Sequence, residues 1–252
     1  MTATTGYSAR VKNGAGWRAY DRVRLLISVG QPYHEWAKLA AAVDWINRNP
    51  SIREVHVSVN DYLQRHNLIA AGIRAEQAGA VALAEGALWI ARNEDALAAL
   101  KTARRRITRW RDWIDRPEFA PAHAAITDYA GADAAFGEAI EADAHALAMR
   151  KVKRGETVSD VARLVAHSRD YVAEELAVFA LQTAALPAAE VYPGSNLASA
   201  AYLVGKELPP ALRPLAERYF TRIDFARLAG PSLGEARPVQ GPPAYQFAKL
   251  ES

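Results

Sequence analysis

"VRLLISVGQPYHEW" (residues 23–36) decides the fold. The run 23–29 is short, leucine-rich and β-branched, and reads as a buried strand. It ends at Ser28, passes Gly30 and gives way to a helical pattern. In "EWAKLAAAVDWINRN" (35–49), apolar Trp36, Leu39, Ala40, Val43 and Ile46 recur at helical spacing, and Asn49-Pro50-Ser51 stops the helix. "EVHVSVN" (54–60) alternates, with Val55, Val57 and Val59 on one face and His56, Ser58 and Asn60 on the other. Strand, helix and strand in so short a span form a βαβ unit, which predicts a parallel sheet covered by helices. Ligands of such sheets sit beyond the carboxyl ends of the strands, where Ser28 and Asp61 lie.

The remaining composition narrows the chemistry. The chain has 252 residues, a formal charge of +3 and no cysteine. Disulfides, thiolate catalysis and cysteine-based zinc sites are therefore excluded. The first residues lack an apolar core of signal-peptide length, and no run reaches the length of a membrane span. A cytoplasmic protein that does not engage a membrane is expected. No linker or repeat interrupts the chain. One catalytic domain over 1–252 is expected, its core at about 22–225 and its ends loose.

Downstream, helices dominate. The spacing predicts one continuous helix over 93–114, capped by Asn93. Others are predicted over 131–155 and over 159–187, the latter capped by Ser159 and ended by Pro187. "AAEVYPGSN" (188–196) follows as an extended segment. The predicted helix 93–114 carries Lys101, Arg104, Arg105, Arg106, Arg109 and Arg111. Read as helix, Lys101, Arg105 and Arg109 share a face. Such a ridge is either a solvated surface or a grip for a phosphate backbone. Tyr171 and Glu175, four residues apart, form a polar pair suited to holding an ammonium group, or a core tyrosine beside a surface glutamate. Tyr192-Pro193 fixes a tyrosine where the chain turns. Ser28 has no G-x-S-x-G elbow around it, and no Ser-His-Asp triad can be assigned with His34 or His56. Neither G-x-G-x-x-G after the first strand nor G-x-x-x-x-G-K-[ST] occurs, so dinucleotide and nucleoside triphosphate use are unsupported. No His-x-x-x-His or carboxylate cluster stands at metal-ligand spacing, and neither metal nor cofactor is expected.

Together these features resemble a cyclodipeptide synthase over roughly residues 22–225. "ISVGQPY" is similar to the family's Ser-x-Gly strand end, "DYVAEELAVF" to its Tyr-x-x-x-Glu helix, "EVYPG" to its Tyr-Pro element, and "LKTARRRITRWRDW" to its arginine-rich helix. The resemblance implies a Rossmann-like α/β fold like the catalytic domain of class I tyrosyl- and tryptophanyl-tRNA synthetases. It implies two aminoacyl-tRNAs as substrates, joined into a 2,5-diketopiperazine, and a monomer. It implies Ser28 as nucleophile, with Gly30 admitting the substrate carbonyl. Tyr171 and Glu175 would hold the first amine, Tyr192 would act in ring closure, and the six basic residues would hold tRNA. Gln31, Tyr192 and Pro193 place the chain in the Tyr-Pro branch. Phe119 stands where other members often carry a tyrosine. The stretch "VALAEGALWIAR" (81–92) has no assigned role.

Two other readings compete: an RNA-binding module that kept the fold without catalysis, and unrelated chemistry on the same architecture. The first substrate is expected to be a polar or basic amino acid rather than leucine or phenylalanine, with Ser58, Asn60 and Glu190 lining its pocket. It is expected to be apolar if Val55, Val57 and Val59 line the pocket instead, since a one-residue slip exchanges the faces.

Overall fold

In the computed structural model, residues 6–12, 14–102, 104–154 and 160–228 are described. Six strands form one sheet: β1 (Tyr7–Val11), β2 (Arg22–Ser28), β3 (Glu54–Asn60), β4 (Arg104–Arg109), β5 (Ala189–Tyr192) and β6 (Tyr219–Arg227), in the order β1-β6-β5-β2-β3-β4. Every ladder is parallel except β1 on β6, which is antiparallel. Sequence reading treated the chain before residue 22 as a loose end. Instead, Tyr7–Val11 closes the sheet edge against β6.

The order runs outward in both directions from β2, with β3 and β4 on one side and β5 and β6 on the other. The junction of β2 and β5 is the topological switch point, where adjacent connections diverge and leave a crevice at the strand ends. Ser28 ends β2 and Tyr192 ends β5.

Alternation separates the two faces. Val23, Leu25, Ile27, Val55, Val57, Val59 and Val191 enter one core with Leu39, Val43 and Ile46 of α1 (Trp36–Asn47). On the other face Arg24, Leu26, Ser28, His56, Ser58 and Asn60 lie towards the long helix α8 (Val161–Ala185), whose Leu176, Val178 and Phe179 belong to the second core. Asp160 caps α8, its carboxylate accepting the Arg163 N–H at 3.0 Å. Ser159, the cap expected from sequence, lies outside the described residues. Trp36 departs from the predicted apolar stripe: its side chain is exposed.

The largest departure lies between 93 and 114. The expected helix is broken into α4 (Glu94–Ala98), β4 and the short α5 (Arg111–Ile114). Arginine is a good helix former, but "RRRITR" also alternates, and Ile107 packs into the first core. Pairing with β3 along six residues outweighs the local preference. Asn93 does not cap α4 by its side chain: its Oδ1 accepts the Trp36 N–H at 3.3 Å, and its Nδ2 donates back to the Trp89 carbonyl of α3 at 2.9 Å.

The unassigned stretch 81–92 belongs to α3 (Ala75–Arg92). A Cβ on Gly86 would meet the Asp61 side chain at 2.2 Å, so glycine lets α3 press against the end of β3. Trp89 is fully buried and donates its indole N–H to the His34 carbonyl at 3.1 Å. α3 therefore buttresses the loop that follows Ser28. α2 (Arg65–Ala70), α6 (Phe119–Ala132), α7 (Ala134–Lys153), α9 (Ala198–Leu203) and α10 (Arg213–Ala216) complete the fold. None of the described helices is long and apolar enough to cross a membrane.

Candidate active site

Hydroxyl groups converge at the switch point. Ser28 Oγ lies 3.1 Å from the Tyr192 hydroxyl, which lies 3.0 Å from that of Tyr33. Gly30 has φ of 83°, a left-handed conformation that turns the chain back so that the Gln31 N–H reaches the Ser28 carbonyl. Gly194 answers a different need: a Cβ there would stand 2.3 Å from the Tyr192 ring. Tyr-Pro-Gly thus seats the ring against the backbone and aims its hydroxyl at Ser28.

His34 contacts Ser28 through the backbone. Its Nδ1 accepts the Ser28 N–H at 2.9 Å, and burial lowers its pKa to about 3. A neutral imidazole spent on a backbone amide orients the loop and does not deprotonate Oγ. His56 bonds Thr108 at 2.6 Å and lies 3.3 Å from the Arg24 Nε. Neither histidine builds a triad with Ser28.

A cavity beside the hydroxyls is lined by Leu26, Tyr33, Asn60, Tyr171, Glu175, Phe179 and Tyr192, among others. Tyr171, Glu175 and Phe179 recur every fourth residue and so share one face of α8. Burial pushes the Tyr171 phenol well above its ordinary range and raises Glu175 to about 8. Glu174, one residue earlier, faces elsewhere. Burial pushes its pKa up, but hydrogen bonds from Arg65 and His66 and the charges of both hold it near 2. It also accepts the Trp110 indole N–H at 2.8 Å. No short motif in the sequence marks Tyr33 or this Glu174–Arg65 ion pair, and His34 is visible there only as a triad candidate that could not be assigned.

The structure separates the other candidates. The polar face of β3 points towards α8 and the valines enter the opposite core, so Val55, Val57 and Val59 do not line the cavity. Only Asn60 of that polar face reaches the cavity, however. Ser58 is fully buried below it and accepts an N–H of Gln182 at 2.8 Å. Glu190 is also spent: its carboxylate is bonded to Arg24 at 2.7 Å and paired with Arg218, all three side chains being buried. Arg24 donates further to the Gln182 and Leu186 carbonyls, both at 2.6 Å. Ser58 and Glu190 therefore leave no unpaired group for a substrate. Phe119, at the start of α6, packs on the second core outside the cavity lining. Gln31 accepts from Arg154 at 3.2 Å, and Pro193 lines a separate groove.

The basic residues also divide. Arg109 is committed to Asp61 at 2.6 Å and to the Leu83 carbonyl, and Arg105 donates to the Leu97 carbonyl at 2.7 Å. Arg111 pairs with Asp115. Lys101, Arg104 and Arg106 are exposed and have no side-chain partner among the described residues. A second cationic surface was not foreseen. Arg10, Lys38 and Arg222 line a groove of about 420 Å³ with Tyr7, Tyr33 and Phe225, at the β1–β6 edge; Asp224 lines it too and accepts from Arg222 at 2.8 Å. For a metal, one group among the described residues brings ligand atoms within 4.8 Å of one another: His66, His167 and Asp170. Sequence spacing missed it because its members come from two helices.

A mostly parallel sheet wound both ways from one strand, with hydroxyl groups gathered at the switch point, is a Rossmann-like α/β architecture. The cyclodipeptide synthase family model matches residues 14–191, and the chain belongs to that family of aminoacyltransferases. No curated protein sequence matches significantly. Solved structures support the fold. A cyclodipeptide synthase from Fluoribacter dumoffii is 24% identical with a TM-score of 0.76, over 88% of this chain and 99% of that one. A synthase from Candidatus Glomeribacter gigasporarum, solved bound to Phe-tRNAPhe, is 20% identical with a TM-score of 0.61, over 88% and 93%. A Mycobacterium tuberculosis protein, described as demonstrating that these enzymes are related to type I tRNA synthetases, is 17% identical with a TM-score of 0.63, over 90% and 95%.

Proposed function

We propose that the protein joins the aminoacyl groups of two aminoacyl-tRNAs into a cyclic dipeptide through ester intermediates on Ser28. The observation that carries this reading is the 3.1 Å contact of Ser28 Oγ with Tyr192 at the switch point. An aminoacyl-tRNA is an ester already activated elsewhere, so the reaction needs no nucleotide site. Ser28 Oγ attacks the ester carbonyl, and its proton passes through Tyr192 to the departing ribose oxygen. The aminoacyl group remains on Ser28, with its amine towards Tyr171 and Glu175. That amine then attacks the ester carbonyl of a second aminoacyl-tRNA, Glu175 receives the amine's proton and passes it to the departing ribose oxygen, the second tRNA leaves, and a dipeptidyl ester remains on Ser28. The new terminal amine attacks this ester, closes the six-membered ring and returns the proton to Ser28 through Tyr192. Tyr33 holds the Tyr192 hydroxyl from its other side. Gln31, Tyr192 and Pro193 fit the Tyr-Pro branch of the family.

The test is expression in a bacterium followed by mass spectrometry of the medium. Cyclic dipeptides absent from the empty-vector culture are expected. A protein that binds tRNA and releases none would be an RNA-binding module.

Glu175 gives the reading a pH signature. With its pKa raised to about 8, it is mostly protonated at neutral pH and gains its role as base as the pH rises. Coupling should accelerate up to about pH 8 and then level off, and Glu175→Gln should remove that limb. An unchanged limb in the variant would assign the titration to another group. Stability runs the opposite way. Between the ordinary 4.5 and about 8, the native state holds a proton that the unfolded chain has lost, so the Glu175 contribution falls as pH rises. Glu175→Gln should flatten that fall in urea unfolding.

In this reading the tRNA surface is made of Arg104 and Arg106, unpartnered among the described residues, and of the groove cations Arg10 and Arg222, the latter also paired with Asp224. Arg104→Ala with Arg106→Ala, or Arg10→Ala with Arg222→Ala, should each weaken tRNA binding. Each pair should reduce the salt slope by about two if both residues contact phosphates. Gel-shift titrations at several salt concentrations measure this. A pair that leaves the slope unchanged lies off the tRNA path.

A further inference from the structure

Trp36 is the exception among the six tryptophans. The other five are at most 7% exposed, whereas Trp36 is 54% exposed. It is also the one non-glycine residue at positive φ among the described residues, at 43°. An aromatic side chain there strains the backbone, and such strain persists only where the surroundings enforce it. They do so here. The Trp36 N–H is held by Asn93 Oδ1 at 3.3 Å, and Asn93 Nδ2 donates to Glu35 at 3.1 Å. Arg92 clamps the same Glu35 carboxylate with two hydrogen bonds of 2.7 and 3.1 Å. These partners come from the end of α3, the helix that also supports His34 through Trp89.

The bracket therefore presents one indole to solvent. Its position follows from the topology: α1 succeeds β2, so its first residue stands at the same sheet edge as Ser28, at the other end of the loop that His34 and Gly30 fix. A rigid exposed aromatic beside a site for an RNA-borne ester suits an unpaired base, because every base offers a π-face and the tRNA end that carries the ester is single-stranded. We propose that Trp36 is a substrate-binding residue on which an unpaired base at the 3′ end of the aminoacyl-tRNA stacks. This rests on the reading of the protein as a user of aminoacyl-tRNA.

The buried state of the other tryptophans makes Trp36 a selective reporter. Two synthetic acceptor-stem hairpins serve as probes, one with a single-stranded 3′ tail and one blunt. The tailed hairpin should quench the tryptophan fluorescence of the wild type and the blunt one should not. Trp36→Phe should lose the quenching but keep most of the affinity. Trp36→Gly relieves the backbone strain, so it should melt no lower than the wild type while raising KM for aminoacyl-tRNA about tenfold, with kcat within about twofold. A Trp36→Gly protein with wild-type KM, or one that melts well below the wild type while KM and kcat fall together, would overturn the inference. If the wild type makes cyclic dipeptide in that case, only the role of Trp36 is lost. If the wild type makes none and binds neither hairpin, the functional reading fails and this inference with it.

Discussion

Ser28→Ala should abolish cyclic dipeptide formation and leave the fold intact. The nucleophile is the one group for which the proposed mechanism has no substitute: both ester intermediates sit on Oγ, and neither forms without it. Ser28 is small and buried, and its hydroxyl contacts Tyr192, which retains Tyr33 as a partner in the variant. Its backbone N–H bond to His34 does not depend on the side chain. The loss of stability should stay within about 1 kcal/mol, the net worth of one hydrogen bond. The activity loss should be at least about a thousandfold, as for other enzymes stripped of a covalent nucleophile. Product in the culture medium and urea unfolding measure the two halves. A variant that still made cyclic dipeptide at a comparable rate would remove Ser28 from the mechanism.

Glu190→Ala should have the largest effect on stability. Glu190 is the anion between two buried cations, Arg24 and Arg218. Its removal leaves two guanidinium groups facing each other away from water. Breaking a buried pair on one side costs about 3–5 kcal/mol, because a charge loses its partner and cannot be rehydrated. Arg24 keeps its bonds to the Gln182 and Leu186 carbonyls, which limits the damage on that side. Arg218 keeps Asn196 at 2.9 Å. The double variant Arg24→Met with Glu190→Leu should recover part of the loss, since it removes one of the two cations that Glu190→Ala strands and leaves only Arg218 without its anion. Urea unfolding of the three proteins provides the measurement. A change below about 1 kcal/mol in Glu190→Ala would show that water reaches the network.

These two residues also mark what sequence could and could not yield. The βαβ unit was legible because strand and helix periodicities are local, and strand ends in such a sheet point to one edge. Ser28 and Asp61 are therefore legible as neighbours of a site, whereas Tyr192 is marked only by the resemblance of its Tyr-Pro element. Glu190 was misread as a pocket carboxylate because its partners, Arg24 and Arg218, come from distant parts of the chain and no spacing announces them. The segment 104–109 failed for a related reason. Its arginines favour helix locally, and the ladder that makes them a strand is supplied by β3, some fifty residues earlier. As a strand, it turns Arg105 and Arg109 towards partners inside the fold and leaves Arg104 and Arg106 outside. Tyr33 escaped notice because its significance is a hydroxyl contact with a residue far along the chain. The stretch 81–92 acts through tertiary contacts that no local pattern announces: Trp89 supports the Ser28 loop and Gly86 makes room for Asp61.

The central claim is that Ser28 carries the aminoacyl group. Intact-protein mass spectrometry, after brief incubation with a single aminoacyl-tRNA, tests it most directly. The wild type should gain the mass of one aminoacyl residue, on the peptide that contains Ser28, and Ser28→Ala should gain none. An adduct of equal abundance in the variant, or cyclic dipeptide formed by a wild type that gives no adduct under any quench, would contradict the account.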